Sequence, residues 1–293
     1  MSVYQKILVA LDGSEESFNA LKYAISLAKK LKAEVLALTV LQLKGELTSA
    51  LSLFLGMEDL LRKGAEGILK KAEAIASELG ADISTTVRKG DPATEIVDCS
   101  LTEGCNLIVA GKTGKTGIAK ALLGSTSYKL LAGSSVDVLI VPKAASFKLE
   151  NLLVPTDGSG LAQRAGYKAI DLAKVFSAKL NLLSVVEVEP IAFESESPQL
   201  METLEKFVES QRKALASAQE TLAKKCELEG ISCFSSIEDG VPHEKIIEFS
   251  AKKDIDLIVM GSYGKSGIKK FLLGSVTEKV VGLSEVPVLV VKS

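Results

Sequence analysis

The strongest constraint on what this chain can fold into is that it is written twice. Asn106 to Ser125 laid without a gap on Asp256 to Ser275 matches at 13 of 20 positions. Self-similarity at a fixed spacing means that one architecture is built in duplicate. The pairing runs outward: Leu8-Val9 with Leu153-Val154, Asp12-Gly13-Ser14 with Asp157-Gly158-Ser159, Gly90 and Pro92 with Gly240 and Pro242, Val138-Leu139 with Val288-Leu289. The offset is 145 at the start of each half and 150 from Gly90 onward, so the second half carries five extra residues (150 minus 145). Glu187 to Gln199 is where they are expected, because Glu189-Pro190 and Ser197-Pro198 read as loop. The 293 residues therefore divide into domains 1–145 and 146–293, in line with a prior of about 150 residues per domain. Ala144 to Lys148 leaves almost no linker, which implies halves that pack together.

Within each half, short runs rich in Val, Ile and Leu alternate with stretches of helical period. In the first half, strands are expected at Lys6 to Leu11, Glu34 to Leu41, Ile83 to Arg88, Leu107 to Ala110 and Val138 to Val141. Helices are expected near Glu15 to Leu31, Glu58 to Leu79, Pro92 to Glu103 and Ser125 to Leu131. Continuously apolar strands imply burial on both faces, which a parallel sheet under right-handed crossover helices provides. Each half is thus read as a doubly wound α/β domain, whose ligands bind beyond the carboxyl ends of the strands where the strand order reverses.

The composition, 47% hydrophobic and 25% charged, is that of a globular protein. A net charge of −2, one histidine and no tryptophan offer neither a basic face for nucleic-acid phosphates nor a base-stacking platform. The longest nearly apolar run, Leu47 to Leu55, is far below the ~20 residues of a membrane span, and Met1 to Ala10 has no signal-peptide core. The expectation is a cytoplasmic protein with no nucleic-acid and no membrane partner.

After the fourth strand of each half comes a glycine loop, Gly111-Lys-Thr-Gly114 and Gly261-Ser-Tyr-Gly264, followed after nine residues by Gly124-Ser125 and Gly274-Ser275. Glycines permit positive φ and close backbone approach, and Gly-Ser opening a helix presents free N–H groups and the positive dipole end to an anion. Phosphate is the natural occupant. A turn and a helix cap would explain one copy, but not two copies with the nine-residue gap preserved. A Walker A loop is excluded, because the glycine it needs five residues before Gly111, Gly114 and Gly264 is replaced by Asn106, Val109 and Val259. The dinucleotide fingerprint G-x-G-x-x-G is absent too, and the loop follows the fourth strand rather than the first. The first strand of each half ends on an acid, Asp12 or Asp157, placed across the crevice to accept hydrogen bonds from ribose hydroxyls or another nucleoside donor.

G-x2-G-x9-G-S after strand four, with Asp after strand one, resembles the ATP-binding branch of the universal stress protein family, and the resemblance covers essentially the whole chain as two tandem domains. It implies five-stranded parallel sheets in the order 3-2-1-4-5 and an adenine nucleotide, ATP, ADP or AMP, along the crevice, with Mg²⁺ carried by the phosphates. By position, Asp12 and Asp157 would hold the nucleoside, and Val40 and Val185 would offer backbone groups to the adenine edge. Gly111, Gly114, Gly124 and Ser125, with Gly261, Gly264, Gly274 and Ser275, would cradle ribose and phosphates. Thr126 and Val276 would add backbone N–H groups at the helix start. Ala10-Leu11 departs from the Pro-Thr seen at Pro155-Thr156, and Thr113 stands where the second half has Tyr263. The family's pairing through the last strand implies an intramolecular pseudo-dimer of the halves and leaves a homodimer of chains open.

The remaining residues carry less. His243 has no counterpart in the first half and reads as a surface residue, and Ser125 and Ser275 lack a neighbouring base that would make them nucleophiles. Cys99, Cys105, Cys226 and Cys233 form no CxxC and read as reduced residues without a role. Leu47 to Leu61 reads as a lid or contact surface, and Glu202 to Lys225 as a solvated helix. No catalytic residue and no protein metal ligand is expected. The leading expectation is a nucleotide-binding sensor or regulatory module of the stress response, with at most slow hydrolysis. A slow Mg²⁺-dependent hydrolase or transferase and an interaction module with vestigial pockets are the alternatives.

Overall fold

The computed structural model describes residues 3–42, 57–114, 123–187, 198–264 and 273–292, which form two compact units divided in sequence between Phe147 and Lys148. The first contains β1 (Lys6–Leu11), α1 (Glu15–Leu31), β2 (Glu34–Leu41), α2 (Met57–Glu78), β3 (Ser84–Lys89), α3 (Pro92–Thr102), β4 (Leu107–Gly111), α4 (Ser125–Gly133) and β5 (Asp137–Val141). The second repeats the order with β6 (Asn151–Pro155), α5 (Gly160–Phe176), β7 (Lys179–Val186), α6 (Pro198–Leu228), β8 (Cys233–Asp239), α7 (Pro242–Lys252), β9 (Leu257–Gly261), α8 (Ser275–Leu283) and β10 (Val288–Val291). Residues 47–56 of the expected lid and most of the expected insertion lie outside the described residues.

Each unit has a five-stranded parallel sheet, ordered β3-β2-β1-β4-β5 in the first and β8-β7-β6-β9-β10 in the second. Both are the doubly wound 3-2-1-4-5 arrangement. All five residues of β4 and of β5 are buried, which is why Leu107–Val109 and Val138–Val141 read as unbroken Val, Ile and Leu rather than as an alternation. β3 and β8, at the ends of their orders, are half-exposed and correspondingly polar.

Local sequence sets the helix limits. Ser14 caps α1 by accepting from Ser17 N, Glu15 and Glu16 lie in its first turn, and Phe18, Leu21, Ile25, Ala28 and Leu31 form its buried stripe, so cap, dipole and apolar period agree. The helix ends where Lys32 turns left-handed at φ 55°, and α5 ends the same way at Ser177.

α3 shows what a cap contributes. Asp91 Oδ1 accepts from Thr94 N at 3.2 Å and Oδ2 pairs with Lys129 Nζ at 3.1 Å. The Thr94 N–H first, and then Lys129, hold the Asp91 carboxyl below its ordinary range. The corresponding cap of α7 is Val241, which makes no side-chain cap bond. Asp91→Ala is expected to cost about 0.5–2 kcal/mol, and Val241→Asp to gain a similar amount, read as shifts of the urea midpoint at constant m. Because the folded pKa is depressed, the Asp91 contribution is whole above the ordinary carboxylate pKa. It disappears as pH falls through the lower folded value, so the gap between parent and Asp91→Ala should close in acid.

Candidate functional site

The strand order reverses between β1 and β4, and between β6 and β9, so a crevice opens at the carboxyl ends of these neighbours. The chain leaves β1 through Leu11-Asp12-Gly13-Ser14 and β6 through Pro155-Thr156-Asp157-Gly158-Ser159. In both, the aspartate folds back on its own backbone: Asp12 Oδ1 accepts from Ser14 N at 2.9 Å, and Asp157 Oδ1 from Ser159 N at 2.9 Å. The turn is possible because Gly13 and Gly158 take φ of 84° and 77°, a conformation that costs a side-chain-bearing residue strain. One carboxylate oxygen is thereby fixed and the other, Oδ2, is aimed across the crevice.

It is aimed at the glycine loop. A Cβ placed on Gly114 would lie 2.8 Å from Asp12 Oδ2, and one on Gly264 would lie closer still to Asp157 Oδ2. The loop glycines are not left-handed, contrary to the expectation that they supply positive φ; they are glycine because space is short. At Gly111 a Cβ would meet Glu16 Cγ at 3.0 Å, and at Gly261 it would meet Leu161 Cβ at 3.0 Å, so these two let the first helix pack on the strand end. At Gly124 a Cβ would meet Lys112 O at 3.2 Å and Thr113 Cα at 3.3 Å; at Gly274 it would meet Tyr263 Cα at 3.0 Å.

The second glycine of the long spacing closes the loop. Gly124 N donates to Lys112 O at 2.9 Å and Gly274 N to Ser262 O at 2.8 Å, and each glycine is the N-cap of the helix that follows, without a side-chain cap. Ser125 and Ser275, read from sequence as helix-opening, are the first helical residues rather than the caps. The N–H groups of Ser125 and Thr126, and of Ser275 and Val276, precede the first intrahelical bonds, Tyr128 N to Gly124 O at 2.8 Å and Glu278 N to Gly274 O at 2.9 Å. They carry the positive end of the helix dipole. Two hydroxyls that the sequence reading missed aim these helices: Ser127 Oγ donates to Gly111 O at 2.8 Å and Thr277 Oγ1 to Gly261 O at 2.9 Å. Their signal was a hydroxyl repeated at offset 150.

In the second unit these parts enclose a cavity of about 600 Å³, within the size range of small-molecule sites. All seven second-half candidates, Asp157, Val185, Gly261, Gly264, Gly274, Ser275 and Val276, line it. Leu183, Leu215, Ile246 and Met260 form an apolar wall, and Glu187 and Gln211 add polar groups. Sequence alone does not bring Gln211 and Leu215 here, because α6 crosses the cavity far from any motif. His243 lies partly exposed in the first turn of α7 and is not among the residues lining the cavity.

The first unit brings Asp12, Gly111, Gly114 and Gly124 together in the same way, and Val40 lies near the end of β2, paired with Arg88. It differs in how the loop is held. Glu16, only 8% exposed, accepts from Lys112 N at 3.1 Å through Oε1 and from the Thr113 hydroxyl through Oε2. A carboxylate thus braces the first loop, where the second half has Leu161, Ser262 and Tyr263. Among the described residues no group of three or more His, Cys, Asp or Glu could hold a metal ion, and no helix is long and apolar enough to cross a membrane.

A solved universal stress protein from Archaeoglobus fulgidus superposes with a TM-score of 0.75 at 26% identity, covering 100% of this chain and 99% of that one. A universal stress protein of Mycolicibacterium smegmatis is 28% identical over 296 residues, 98% of this chain and 96% of its own. One of Methanocaldococcus jannaschii is 39% identical over 144 residues, 49% of this chain and 82% of its own. The family model matches twice, over residues 3–142 and 148–292. With this double match, the paired 3-2-1-4-5 sheets and the repeated Asp and glycine-loop constellation, the chain belongs to the universal stress protein family, as two tandem copies of its domain.

Proposed function

We propose that each half, 1–145 and 146–293, binds one adenine nucleotide at the carboxyl edge of its sheet, and that the chain works as a nucleotide-dependent regulatory module of the stress response. The observation that carries this reading is the pairing, in one cavity, of a carboxylate fixed on one wall with an uncapped helix N-terminus on the other. The first suits ribose hydroxyls and the second suits phosphate oxygens. The apolar wall between them suits a base.

In this reading Asp12 and Asp157 accept from the ribose, and Val40 and Val185 present backbone groups to the adenine edge. Gly111, Gly114, Gly124 and Ser125, with Gly261, Gly264, Gly274 and Ser275, surround ribose and phosphates, while Thr126 and Val276 donate N–H groups. ATP, ADP and AMP all meet these requirements, and Mg²⁺ would ride with the phosphates. Among the described residues that line the cavity there is no histidine, lysine or cysteine to activate a water or a nucleophile, which supports binding without rapid turnover.

The test combines retention and turnover. Chain purified gently and denatured should release adenine nucleotide identifiable by mass, and with ATP and Mg²⁺ it should turn over well below the ordinary enzyme range of ~1 to 10³ per second. Turnover within that range would favour a hydrolase. Absence of both nucleotide and binding would favour an interaction module.

A further inference from the structure

Cys226 and Cys233 bracket the turn between α6 and β8. Glu229 N and Ile231 N both donate to Cys226 O, at 3.1 and 2.9 Å, so the helix ends tightly and the chain doubles back at once into β8. There Cys233 pairs in register just beyond this turn, opposite Leu180 of β7, and α6 packs on β8. Cys226 is thus fully buried on one side of the turn and Cys233 half-buried on the other, close enough for each thiol to shift the other's titration. The first half has Ala76 and Ile83 at these positions, so the pair belongs to the second half alone. The pair forms no CxxC and so carries no motif in the sequence.

We propose that Cys226 and Cys233 form a hydroperoxide-reactive dithiol, with Cys233 as the attacking sulfur and Cys226 as the resolving one. The inference stands apart from nucleotide binding. The Cys233 thiolate attacks the outer oxygen of a hydroperoxide. The O–O bond breaks, an alcohol or water leaves carrying the proton that Cys233 gave up, and Cys233 becomes a sulfenic acid. The Cys226 sulfur then attacks the Cys233 sulfur; the S–S bond forms, the S–O bond breaks, and the hydroxide leaves with the Cys226 proton as water. Two thiols and one hydroperoxide thus yield a disulfide, an alcohol and water, and external thiol reverses the disulfide by exchange.

The division of roles follows from the surroundings. The hydrogen bond from Cys226 lowers the Cys233 pKa, although burial opposes it. The same bond and its own burial hold the Cys226 thiol far above the ordinary range. Thiolate character therefore resides on the sulfur that has some access to solvent, which is what peroxide reactivity requires. In the first unit Cys99 and Cys105 are both buried, and burial raises both, Cys105 to about 11. They are the internal controls.

The experiment uses the full reduced chain, freed of excess thiol, incubated with hydrogen peroxide and then alkylated in denaturant so that buried thiols also react. Alkylatable cysteines should fall from the four present to two, a peptide joining Cys226 to Cys233 should appear, and dithiothreitol should restore both thiols. Cys226→Ala should stop at a sulfenic acid on Cys233, captured by a dione probe, and Cys233→Ser should slow peroxide consumption at least tenfold. Preferential oxidation of Cys99 or Cys105, or retention of free thiols at Cys226 and Cys233, would overturn the proposal.

Discussion

Gly274→Val is expected to weaken adenine-nucleotide binding in the second half by about 100-fold while leaving the first half untouched. The cause is indirect. A Cβ at this position points into the loop, 3.0 Å from Tyr263 Cα and 3.3 Å from Ser262 O, and backbone at that distance cannot yield as a side-chain tip can. Valine's further carbons must displace the loop and break the Gly274 N to Ser262 O bond, which swings the Ser275 and Val276 N–H groups off their line. Losing two hydrogen bonds to a charged phosphate at about 1.5 kcal/mol each removes about 3 kcal/mol, the stated factor. Gly124→Val should do the same to the first half, where the Cβ would meet Lys112 O and Thr113 Cα. Circular dichroism should show the fold retained, with a stability loss of about 1–3 kcal/mol. A calorimetric stoichiometry unchanged in either variant would mean that the phosphate assignment for that half is wrong.

The second large effect separates the halves. Asp157→Ala removes a carboxylate that would accept from ribose, a loss of about 1.5–3 kcal/mol or roughly 10- to 100-fold at that site, and so leaves the first site to be measured alone; Asp12→Ala leaves the second. The second site should be the tighter. Pro155 fixes φ two residues before Asp157, an advantage of about 0.4–1 kcal/mol that Ala10 lacks. The Glu16 carboxylate, held under the first loop by Lys112 N and Thr113, adds a negative charge beside the phosphate position, which costs about 1 kcal/mol or more there. Together these predict roughly a tenfold preference for the second half, and Glu16→Gln should narrow it for ATP more than for adenosine. Equal affinities, or a tighter first site, would sink the claim.

Much of the fold was legible because duplication and burial agree. β1, β2 and α1 begin and end where apolar runs and caps place them, since Ser14 and the stripe from Phe18 to Leu31 leave one solution. β3 slips by one residue, observed at Ser84–Lys89 against an expected Ile83 to Arg88, because a half-exposed strand is not pinned by its side chains and takes its register from β2. α6 runs longer than its charged stretch, from Pro198 to Leu228.

The site was legible where it repeats and obscure where it does not. Asp12, Asp157 and the loop glycines stood out because they occur twice. Glu16 has Leu161 as its counterpart, so no repeat marks it, and its contact with Lys112 spans 96 residues. Gln219, buried and donating to Ser184 Oγ at 3.0 Å and Ser236 O at 2.8 Å, braces the cavity strands from within a helix that reads as solvated. Such contacts depend on which helix face meets the sheet, and one sequence does not encode that visibly.

One chain should hold two nucleotides, one per half. Calorimetric titration of the full chain, stripped of bound nucleotide, with ATP, ADP and AMP counts them. The expected result is two sites per chain, one after Gly274→Val and none after Gly124→Val and Gly274→Val together. A folded full chain that binds none of the three at about 1 mM, where even a contribution of ~4 kcal/mol would be seen, would contradict it.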